Sequence, residues 1–491
     1  MTWLRSLLYQ RRRSTRHPAP KPGLRFHRSK NGRRGVPRSS RPSLADIRPC
    51  LEGAIPAAMA TCGVDGTPNV TFISQVFYVD ERHVALSFQF FNKTRQNILS
   101  NPHATAVVLH PSTAESYRLQ LRYLRTETQG AIYEGMKAQL AGIASHSGMT
   151  EVFALRGSDI YCVEAIESIE SVGSRASMAP PRTSPLSAVR RGGERLSRCT
   201  GLADALNATL STLNEFLGVR YAIVLLLDRQ MGRLYTVATC GYVASGVGSE
   251  IAIGEGVIGV AARECTPVRI VHMSLAYSYH HAIRTSLLPG SPVPAHEIET
   301  IPFPGLVEPH SQMAAPIMSG GVLLGVLFAE SPVDARFDYQ DEDALVALAS
   351  HLGTAIDLAQ CTADAGEHSV SNASSAALRL NQRPVLKVRH FHANDSIFLD
   401  DAYLIKGVAG AIFWKLVRDF RDAGRTEFTN RELRLDPSLG LPDVTDNLEA
   451  RLLMLQRRLD EHGTDVRVEK TGRGRFRLVV QRPLELLNMA H

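Results

Sequence analysis

Two segments that lack hydrophobic periodicity divide this chain of 491 residues into three blocks. Residues 171–198 mix Ser, Pro, Gly and Arg, and residues 362–383 are small and polar. Because such compositions are typical of flexible connectors, we predict a linker at both places. The linkers separate candidate domains at 49–170, 199–361 and 384–483, each of a size that suits one hydrophobic core.

The positive charge of the chain is concentrated at one end. Residues 1–48 hold 14 Lys and Arg and a single acid, Asp46, which gives +13, whereas the whole chain carries +7. The rest of the chain is therefore acidic, at −6. We predict a basic disordered tail over 1–48. Such a tail either binds nucleic acid or another anionic surface, or is a solvated extension.

The pattern of cysteines indicates whether the compartment is oxidising or reducing. All seven are scattered, their number is odd, and they form no CxxC pair. This pattern favours a reducing compartment and argues against a disulfide framework or a zinc site. No stretch approaches the roughly 18 consecutive apolar residues of a membrane span. We therefore expect a cytoplasmic protein with no membrane partner and no bound metal.

The pattern of the first block predicts short strands around a short basic helix. Hydrophobic runs at 70–79 and 83–90 indicate strands, and residues 93–99 indicate a helix that Asn92 caps. The helix is expected to stop before Pro102, where a further strand follows.

This order resembles the split β-barrel of the pyridoxamine 5′-phosphate oxidase-like flavin-binding family. The resemblance implies that FMN binds here, with its phosphate held by cations, hydroxyls and a helix N-terminus. It also implies a homodimer with the ligand between the subunits. The residues that it assigns to the cofactor are Asn69, Val70, Thr71, Lys93, Thr94, Arg95 and Asn97. The alternative for Lys93 and Arg95 is a solvated helix face.

Two elements of the oxidases are missing from this block. The strand that carries cations near the flavin in those enzymes is Thr71-Phe72-Ile73-Ser74-Gln75 here, with no cation. The oxidases' C-terminal Arg-Leu-x-x-Arg element is also absent. We therefore do not expect this chain to oxidise vitamin B6, whereas FMN binding stays open.

The middle block carries a set of motifs in a fixed order. A GEGVIG turn occupies 254–259, an AAPI strand occupies 314–317, GVLLGVLFAE spans 321–330, and an F-x-x-x-D pattern runs from Phe337 to Asp341. Together these motifs closely resemble a GAF domain, which is an α/β sandwich. The resemblance implies a pocket for a small-molecule ligand over the sheet, or a role in dimerisation. The sequence does not identify the ligand.

The last block predicts a helix, a short helix, a long helix and a β-hairpin. Apolar residues at helical spacing indicate helices over 405–420 and 447–462. The short helix between them is capped by Thr429 or Asn430. The hairpin spans 466–480 around a Gly-rich turn.

Two motifs in this block resemble the winged-helix DNA-binding domain of response regulators. They are LQRRLD at 455–460, in the long helix, and TGRGRFRL at 471–478, in the hairpin. The resemblance implies a helix in the major groove and a hairpin that reaches phosphates or the minor groove. The candidate DNA-binding residues are Arg451, Arg457, Arg458, Lys470, Arg473 and Arg475. Use of the same domain to bind another protein stays open.

The chain is thus predicted to be a multidomain α+β protein with a split β-barrel, a GAF α/β sandwich and a winged helix. The order of sensor, linker and effector favours a one-component transcriptional regulator of the bacterial type. In it, the barrel and the GAF domain sense a small molecule or a redox state, and the winged helix binds DNA. The alternative is an FMN-dependent oxidoreductase regulated by its GAF domain. No catalytic triad, Walker loop, metal-ligand cluster or kinase signature is visible, so no catalytic residue is assigned.

Overall fold

The structure is a computed structural model that describes residues 42–489, except for 54, 90–92, 112, 148–153, 170–183, 274–300, 366–384, 440–447 and 464. The described residues form a barrel domain (42–169), a middle domain (184–365) and a C-terminal domain (385–489). Most of the predicted tail, parts of both predicted linkers and Asn92 lie outside the described residues. None of the helices described is long and apolar enough to cross a membrane.

The barrel domain is built on one curled, seven-stranded antiparallel sheet. Its strands are β1 (Ala57–Cys62), β2 (Pro68–Ile73), β3 (Val76–Tyr78), β4 (His83–Phe88), β5 (His103–Leu109), β6 (Ser116–Glu127) and β7 (Gly157–Ile169). They pair in the order β2-β1-β5-β6-β7-β4-β3, so β2 and β3 are the edges. Helix α1 (Lys93–Ser100) follows β4, and α2 (Ala131–Ser147) connects β6 to β7. Met59, Leu86 and Leu119 are buried inside the sheet.

The barrel begins earlier than predicted. Leu44 and Ile47 are buried in its core, and the short 3₁₀ helix Arg48–Leu51 follows them. Both apolar residues fall within 1–48, which the charge pattern predicted to be a disordered tail. They stand between polar and charged neighbours, so the composition of the segment concealed them.

The middle domain is a sheet with helices on both faces. Its strands are β8 (Tyr221–Asp228), β9 (Arg233–Cys240), β10 (Glu250–Ala252), β11 (Val268–Ile270), β12 (Ser311–Ser319) and β13 (Val322–Ser331). They pair in the order β10-β9-β8-β13-β12-β11. One face is covered by α3 (Pro185–Leu196), α4 (Leu202–Leu217) and α6 (Tyr339–Ala365). The other face meets α5 (Gly256–Glu264) and α2 of the barrel.

Part of the first predicted linker is a helix. Residues 171–198 were expected to be flexible, but α3 lies within them and packs on α4 and α6. A methyl group at Gly192 would lie 2.5 Å from Leu348 and 2.8 Å from Thr212. The glycine therefore permits the close contact between these helices. The small residues that suggested a linker are a requirement of helix packing.

The C-terminal domain contains two small sheets and three helices in its described residues. The first sheet has β14 (Leu386–Phe391), β15 (Ser396–Leu399), β16 (Ala402–Ile405) and β20 (Leu484–Met489). The second has β17 (Glu427–Thr429), β18 (Val466–Gly472) and β19 (Arg475–Val480). The helices are α7 (Gly407–Ala423), α8 (Asn430–Leu435) and α9 (Leu448–Glu461).

The helices and the hairpin of this domain follow the predicted order. Thr429 caps α8 as expected, because its hydroxyl accepts the backbone N–H of Glu432 at 3.3 Å. The domain extends past its predicted end at residue 483, since β20 pairs in parallel with β14. The assignment of a winged helix stays a prediction.

Helix α2 joins the barrel to the middle domain. The hydroxyl of Ser145 accepts the N–H of Gly256, the first residue of α5, at 2.8 Å. Glu255, which precedes α5, makes no capping bond of its own. At the other end of the contact, Lys137 pairs with Glu264 at 2.8 Å. The barrel thus completes the first turn of a helix in the middle domain.

A buried ion triad crosses the same interface. The side chain of Arg269, on β11, is only 4% exposed. It donates to Glu52 of the barrel at 2.5 Å and to Glu342 of α6 at 2.7 Å. One cation therefore satisfies two carboxylates from different domains, which fixes their relative position.

Candidate functional site

A groove opens on the barrel between β2, β4, β7 and α1, and it encloses about 80 Å³. Most of its lining is apolar or uncharged, and one cation and one carboxylate meet within it. Its lining residues are Met59, Phe72, Ile73, Ser74, Leu86, Ser87, Phe88, Gln89, Thr94, Arg95, Ile98, Asp159 and Tyr161.

Two of the seven predicted cofactor residues line this groove. Thr94 and Arg95 stand on the first turn of α1 and form part of the wall. Asn69 is joined to them, because its amide donates to the Thr94 hydroxyl at 2.8 Å. Lys93 is exposed beside them at the start of α1. The structure therefore brings four of the predicted residues together at one end of the groove.

The other three predicted residues have different surroundings. Asn97 is buried, and its amide donates to the Thr61 hydroxyl at 3.1 Å, which fastens α1 to β1. Val70 and Thr71 lie on the edge strand β2, outside the groove lining. None of these three residues lines the groove.

Arg95 is held by a buried network. Its guanidinium donates to Asp159 at 2.6 Å and to the Thr126 hydroxyl at 2.8 Å. The Thr126 hydroxyl donates in turn to Asp159 at 2.5 Å and lies 2.7 Å from the Tyr123 hydroxyl. The guanidinium also stacks on Phe88, 4.4 Å from the ring centre. Arg95 was predicted to hold the cofactor phosphate, with a solvated helix face as the alternative. Its side chain is only 11% exposed and already pairs with Asp159.

Asp159 is a groove residue that the sequence did not predict. Burial raises the pKa of its carboxyl, while hydrogen bonds from Thr126 and Arg95 oppose that rise. Burial also raises the pKa of its groove neighbour Tyr161. A single acid at the start of an apolar strand was the available signal, but its partner lies 64 residues away. Buried acids with shifted pKa values are enriched at functional sites.

The Gln89 side chain in the groove has no hydrogen-bond partner for its carbonyl oxygen among the described residues, which do not include 90–92. Gln89 is 6% exposed. Between β2 and β3, both side-chain amide atoms of Gln75 are also buried with no partner in the described part of the chain. Leaving such groups unsatisfied costs about 1–3 kcal/mol each, so they mark places where a ligand can bind favourably.

The middle domain has a buried carboxylate on the sheet face opposite α4. Glu330, at the end of the GVLLGVLFAE motif, is 1% exposed. It accepts hydrogen bonds from the Tyr242 hydroxyl at 2.8 Å, the Leu306 N–H at 2.7 Å and the Gln312 amide at 3.0 Å. Burial and this carboxylate raise the pKa of Tyr242. The segment at Leu306 therefore seals this face of the sheet in the described structure.

Two arginines of α9, Arg451 and Arg457, contact the middle domain. Arg451 is 5% exposed and pairs with Asp228, at the end of β8, at 2.6 Å. Its guanidinium also lies over the ring of Tyr235, 4.2 Å from the centre. Arg451 was predicted to contact DNA. In this arrangement it is covered, because α9 packs beside α4 on the same face of the sheet.

Two further predicted DNA ligands also have protein partners, one in the middle domain and one within the C-terminal domain. Arg457 donates to the carbonyl of Val237 at 2.6 Å and to Asn207 at 3.1 Å. Arg458 donates to the carbonyl of Leu404 within its own domain at 3.0 Å. All three arginines therefore have protein partners in this structure, and their assignment as DNA ligands stays a prediction. Helical spacing placed the arginines off the apolar stripe of α9. It could not show that β9 lies against the side of the helix that carries them.

The predicted hairpin cations are more accessible. Lys470 is exposed and pairs with Glu449 at 3.1 Å, and Arg473 is exposed. Arg475 is half-buried. Along β18 and β19, further exposed cations are Arg467 and Arg477. Two of these exposed cations pair with carboxylates of the same domain, Lys470 with Glu449 and Arg477 with Glu427 at 3.2 Å.

Comparison with protein families identifies two of the three domains. Residues 44–155 match the pyridoxamine 5′-phosphate oxidase model, and residues 199–357 match the GAF domain model. The chain therefore contains a barrel of the first family and a GAF domain, as the motifs predicted. A search of curated proteins finds no match.

Several solved structures resemble single domains of the chain. The GAF domain of a phosphoenolpyruvate-protein phosphotransferase from Coxiella burnetii is 23% identical, with a TM-score of 0.28; the match covers 36% of this chain and 95% of that one. The free methionine-R-sulfoxide reductase of Neisseria meningitidis, in complex with its substrate, is 21% identical over 36% and 90% of the two chains, with a TM-score of 0.29. An FMN-binding protein from Syntrophomonas wolfei is 15% identical over 26% and 89%, with a TM-score of 0.21.

Proposed function

We propose that this chain is a cytoplasmic sensor and regulator in which the barrel binds FMN, the GAF domain binds a small ligand and the C-terminal domain binds DNA. The barrel groove carries the proposal. Thr94 and Arg95 line it, Lys93 is exposed next to them on the first turn of α1, and residues 44–155 match the pyridoxamine 5′-phosphate oxidase model. Cations, a hydroxyl and the first turn of a helix together suit a phosphate dianion.

The chemistry of the groove fits a flavin. The unpaired carbonyl of Gln89 suits the imide N–H of a flavin ring, and Phe72 and Phe88 offer apolar surface to its faces. When bound, FMN would supply electron transfer to the site. The residues of this chain would hold its phosphate and orient its ring.

A second copy of the chain would complete this site. Ligand pockets usually enclose about 300–1,000 Å³, far more than the groove of one chain. Beside the groove, Val70 is 72% exposed and Phe72 is 66% exposed on the edge strand β2. Exposed apolar residues on an edge strand favour association. We therefore propose a homodimer that covers β2 and encloses the ligand.

The variant Lys93→Ala/Arg95→Ala is expected to lose FMN. A hydrogen bond to a charged group contributes about 1.5–3 kcal/mol, so removing both cations should weaken FMN binding by roughly tenfold or more. The absorbance of the purified protein in the blue and a fluorescence titration with FMN measure this change. Unaltered FMN affinity in the variant would place the phosphate elsewhere.

A matched control separates the groove from overall charge. Arg118 and Arg122 on β6 form exposed ion pairs with Glu167 and Glu164, away from the groove. The variant Arg118→Ala/Arg122→Ala removes the same number of cations and should retain FMN like the wild type. Equal losses in both double variants would mean that general charge, and not the groove, determines binding.

An FMN-dependent oxidoreductase is the second candidate, favoured by the family that the barrel matches. No cation stands on Thr71 to Gln75, where the oxidases of that family carry theirs. Consumption of NAD(P)H by the flavin-loaded protein would support this alternative. A loaded protein that is inert toward NAD(P)H but binds DNA would support the regulator.

The C-terminal domain supports the DNA-binding output through its order of elements and its basic hairpin. A helix, a short helix, a longer helix and a hairpin follow one another, as in a winged helix. Arg467, Arg473 and Arg477 are exposed on the hairpin. Because Arg451 and Arg457 contact the GAF domain, we propose that α9 binds DNA only after it separates from that domain.

A further inference from the structure

We propose that Asp159 determines how strongly the barrel groove prefers phosphate-bearing ligands, because it holds Arg95 until a ligand phosphate takes its place. This inference rests on the proposed binding of FMN. It assigns to Asp159 the role of a specificity-determining residue that competes with the ligand for one guanidinium.

The geometry makes Asp159 a direct competitor. The side chains of Arg95 and Asp159 are 11% and 8% exposed, and their atoms lie 2.6 Å apart. The hydroxyl of Thr126 touches both of them, so the carboxylate is fixed on the side of Arg95 that faces β6 and β7. Both charged residues line the groove. A phosphate at α1 must therefore either share Arg95 with Asp159 or displace it.

Displacement carries a proton with it. The hydrogen bond between Arg95 and Asp159 breaks, and one forms between Arg95 and a phosphate oxygen. A buried carboxylate that has lost its cation and lies near a phosphate dianion is strongly unfavourable. Asp159 therefore takes up one proton from water. Burial already raises the pKa of this carboxyl, which favours that uptake.

Few other groups contribute to this titration. Among the described residues, those that face Asp159 are Arg95 from α1, Tyr123 and Thr126 from β6, and Tyr161 from the same strand. Burial raises the pKa of Tyr161, so this phenol stays neutral near neutral pH.

The direction of the pH effect follows. At high pH the ionised Asp159 competes for Arg95, so FMN binds weakly. As the pH falls toward about 7, where the phosphate (second pKa about 6) is still a dianion, the competitor is protonated more easily and FMN affinity rises, by up to about tenfold per pH unit. Riboflavin, which has the same ring but no phosphate, should show no such rise.

The test compares FMN and riboflavin on the full chain. In Asp159→Asn, we expect FMN affinity to rise roughly tenfold near pH 7.5 and to lose its pH dependence, while riboflavin affinity changes less than about twofold. Fluorescence titrations of both flavins provide the affinities. The control is Glu167→Gln, which removes an exposed, ion-paired carboxylate from the same strand and should leave both affinities unchanged.

Each outcome has a distinct meaning. Equal gains for FMN and riboflavin in Asp159→Asn, or no gain at all, would overturn the role of Asp159 and leave FMN binding standing. Failure of the wild type and the variant to bind either flavin would overturn both proposals.

A measurement on the unmodified protein covers the case in which the variant does not fold. Calorimetry in two buffers with different heats of ionisation counts the protons taken up on binding. We expect nearly one proton for FMN and none for riboflavin. Equal proton uptake for both flavins, or none for FMN, would contradict the proposal.

Discussion

Asp228→Asn is expected to release α9 from the GAF domain and to increase the affinity of the chain for DNA. Asp228 Oδ2 pairs with Arg451, whereas Oδ1 accepts the N–H groups of Gln230 and Met231 in the turn after β8. Asparagine keeps Oδ1, so the turn survives while the charge opposite Arg451 is lost. Breaking a buried ion pair from one side costs about 3–5 kcal/mol.

The readout is a mobility shift with mixed-sequence duplex DNA at a fixed salt concentration. If the docked form dominates in the wild type, a cost of this size should raise apparent DNA affinity by roughly a hundredfold. Asp401→Asn is the control, because it removes one negative charge from a fully exposed side chain of the C-terminal domain. Equal DNA affinity in the two variants would contradict release of α9.

A double variant identifies the surface that binds. Adding Arg457→Ala to Asp228→Asn should remove most of the gain, because Arg457 belongs to the face of α9 that becomes free. Adding Arg118→Ala, a substitution on the barrel, to Asp228→Asn should leave the gain in DNA affinity unchanged. If Arg457 makes no difference, the DNA contacts belong to the hairpin and not to α9.

Arg269→Met is expected to destabilise the joint between the barrel and the GAF domain by about 3–5 kcal/mol. Arg269 compensates both Glu52 and Glu342. With methionine there, Glu342 loses this partner and the mostly buried Glu52 keeps only the longer pair with Arg48, at 3.4 Å. The methionine side chain fills much of the space that the apolar stem of arginine occupies. The loss of stability therefore reflects the missing charge more than a loss of packed volume. Thermal and denaturant unfolding of the full chain measure it.

The loss of stability in Arg269→Met should become smaller as the pH falls. Burial raises the pKa of Glu52 even beside Arg269, and removal of the cation raises it further. A carboxyl whose pKa is raised by folding stabilises the fold as the pH falls through that pKa. The deficit of Arg269→Met should therefore shrink between about pH 7.5 and about pH 5. Arg118→Met, in an exposed pair, should cost less than about 1 kcal/mol at either pH.

The parts of the fold that depend only on residues close together in the chain could be predicted from the sequence. GEGVIG and GVLLGVLFAE are continuous motifs, and each places a turn or a strand with its own residues. The cap of α8 by Thr429 is equally local, since it involves a residue three positions away. Such features need no knowledge of the tertiary structure.

The partners of the charged residues could not be predicted in this way. Arg95 meets Asp159 across 64 positions, and Arg451 meets Asp228 across 223. Each arginine was interpreted from its own helix, where a cation off the apolar stripe indicates a solvated or ligand-facing side chain. Whether a carboxylate of the same chain pairs with such an arginine depends on how strands that are distant in the sequence pack together. The pattern of one helix does not show this.

The bond between Ser145 and Gly256 limits how these domains can be recombined. A GAF fragment excised at its own boundaries would start α5 with an open backbone donor, and a fragment of the barrel would expose the face of α2 that covers it. A chimera that exchanges the barrel therefore inherits a frayed helix unless the new partner supplies a hydroxyl at the same point. The smallest piece that can be transplanted intact is the pair of domains together.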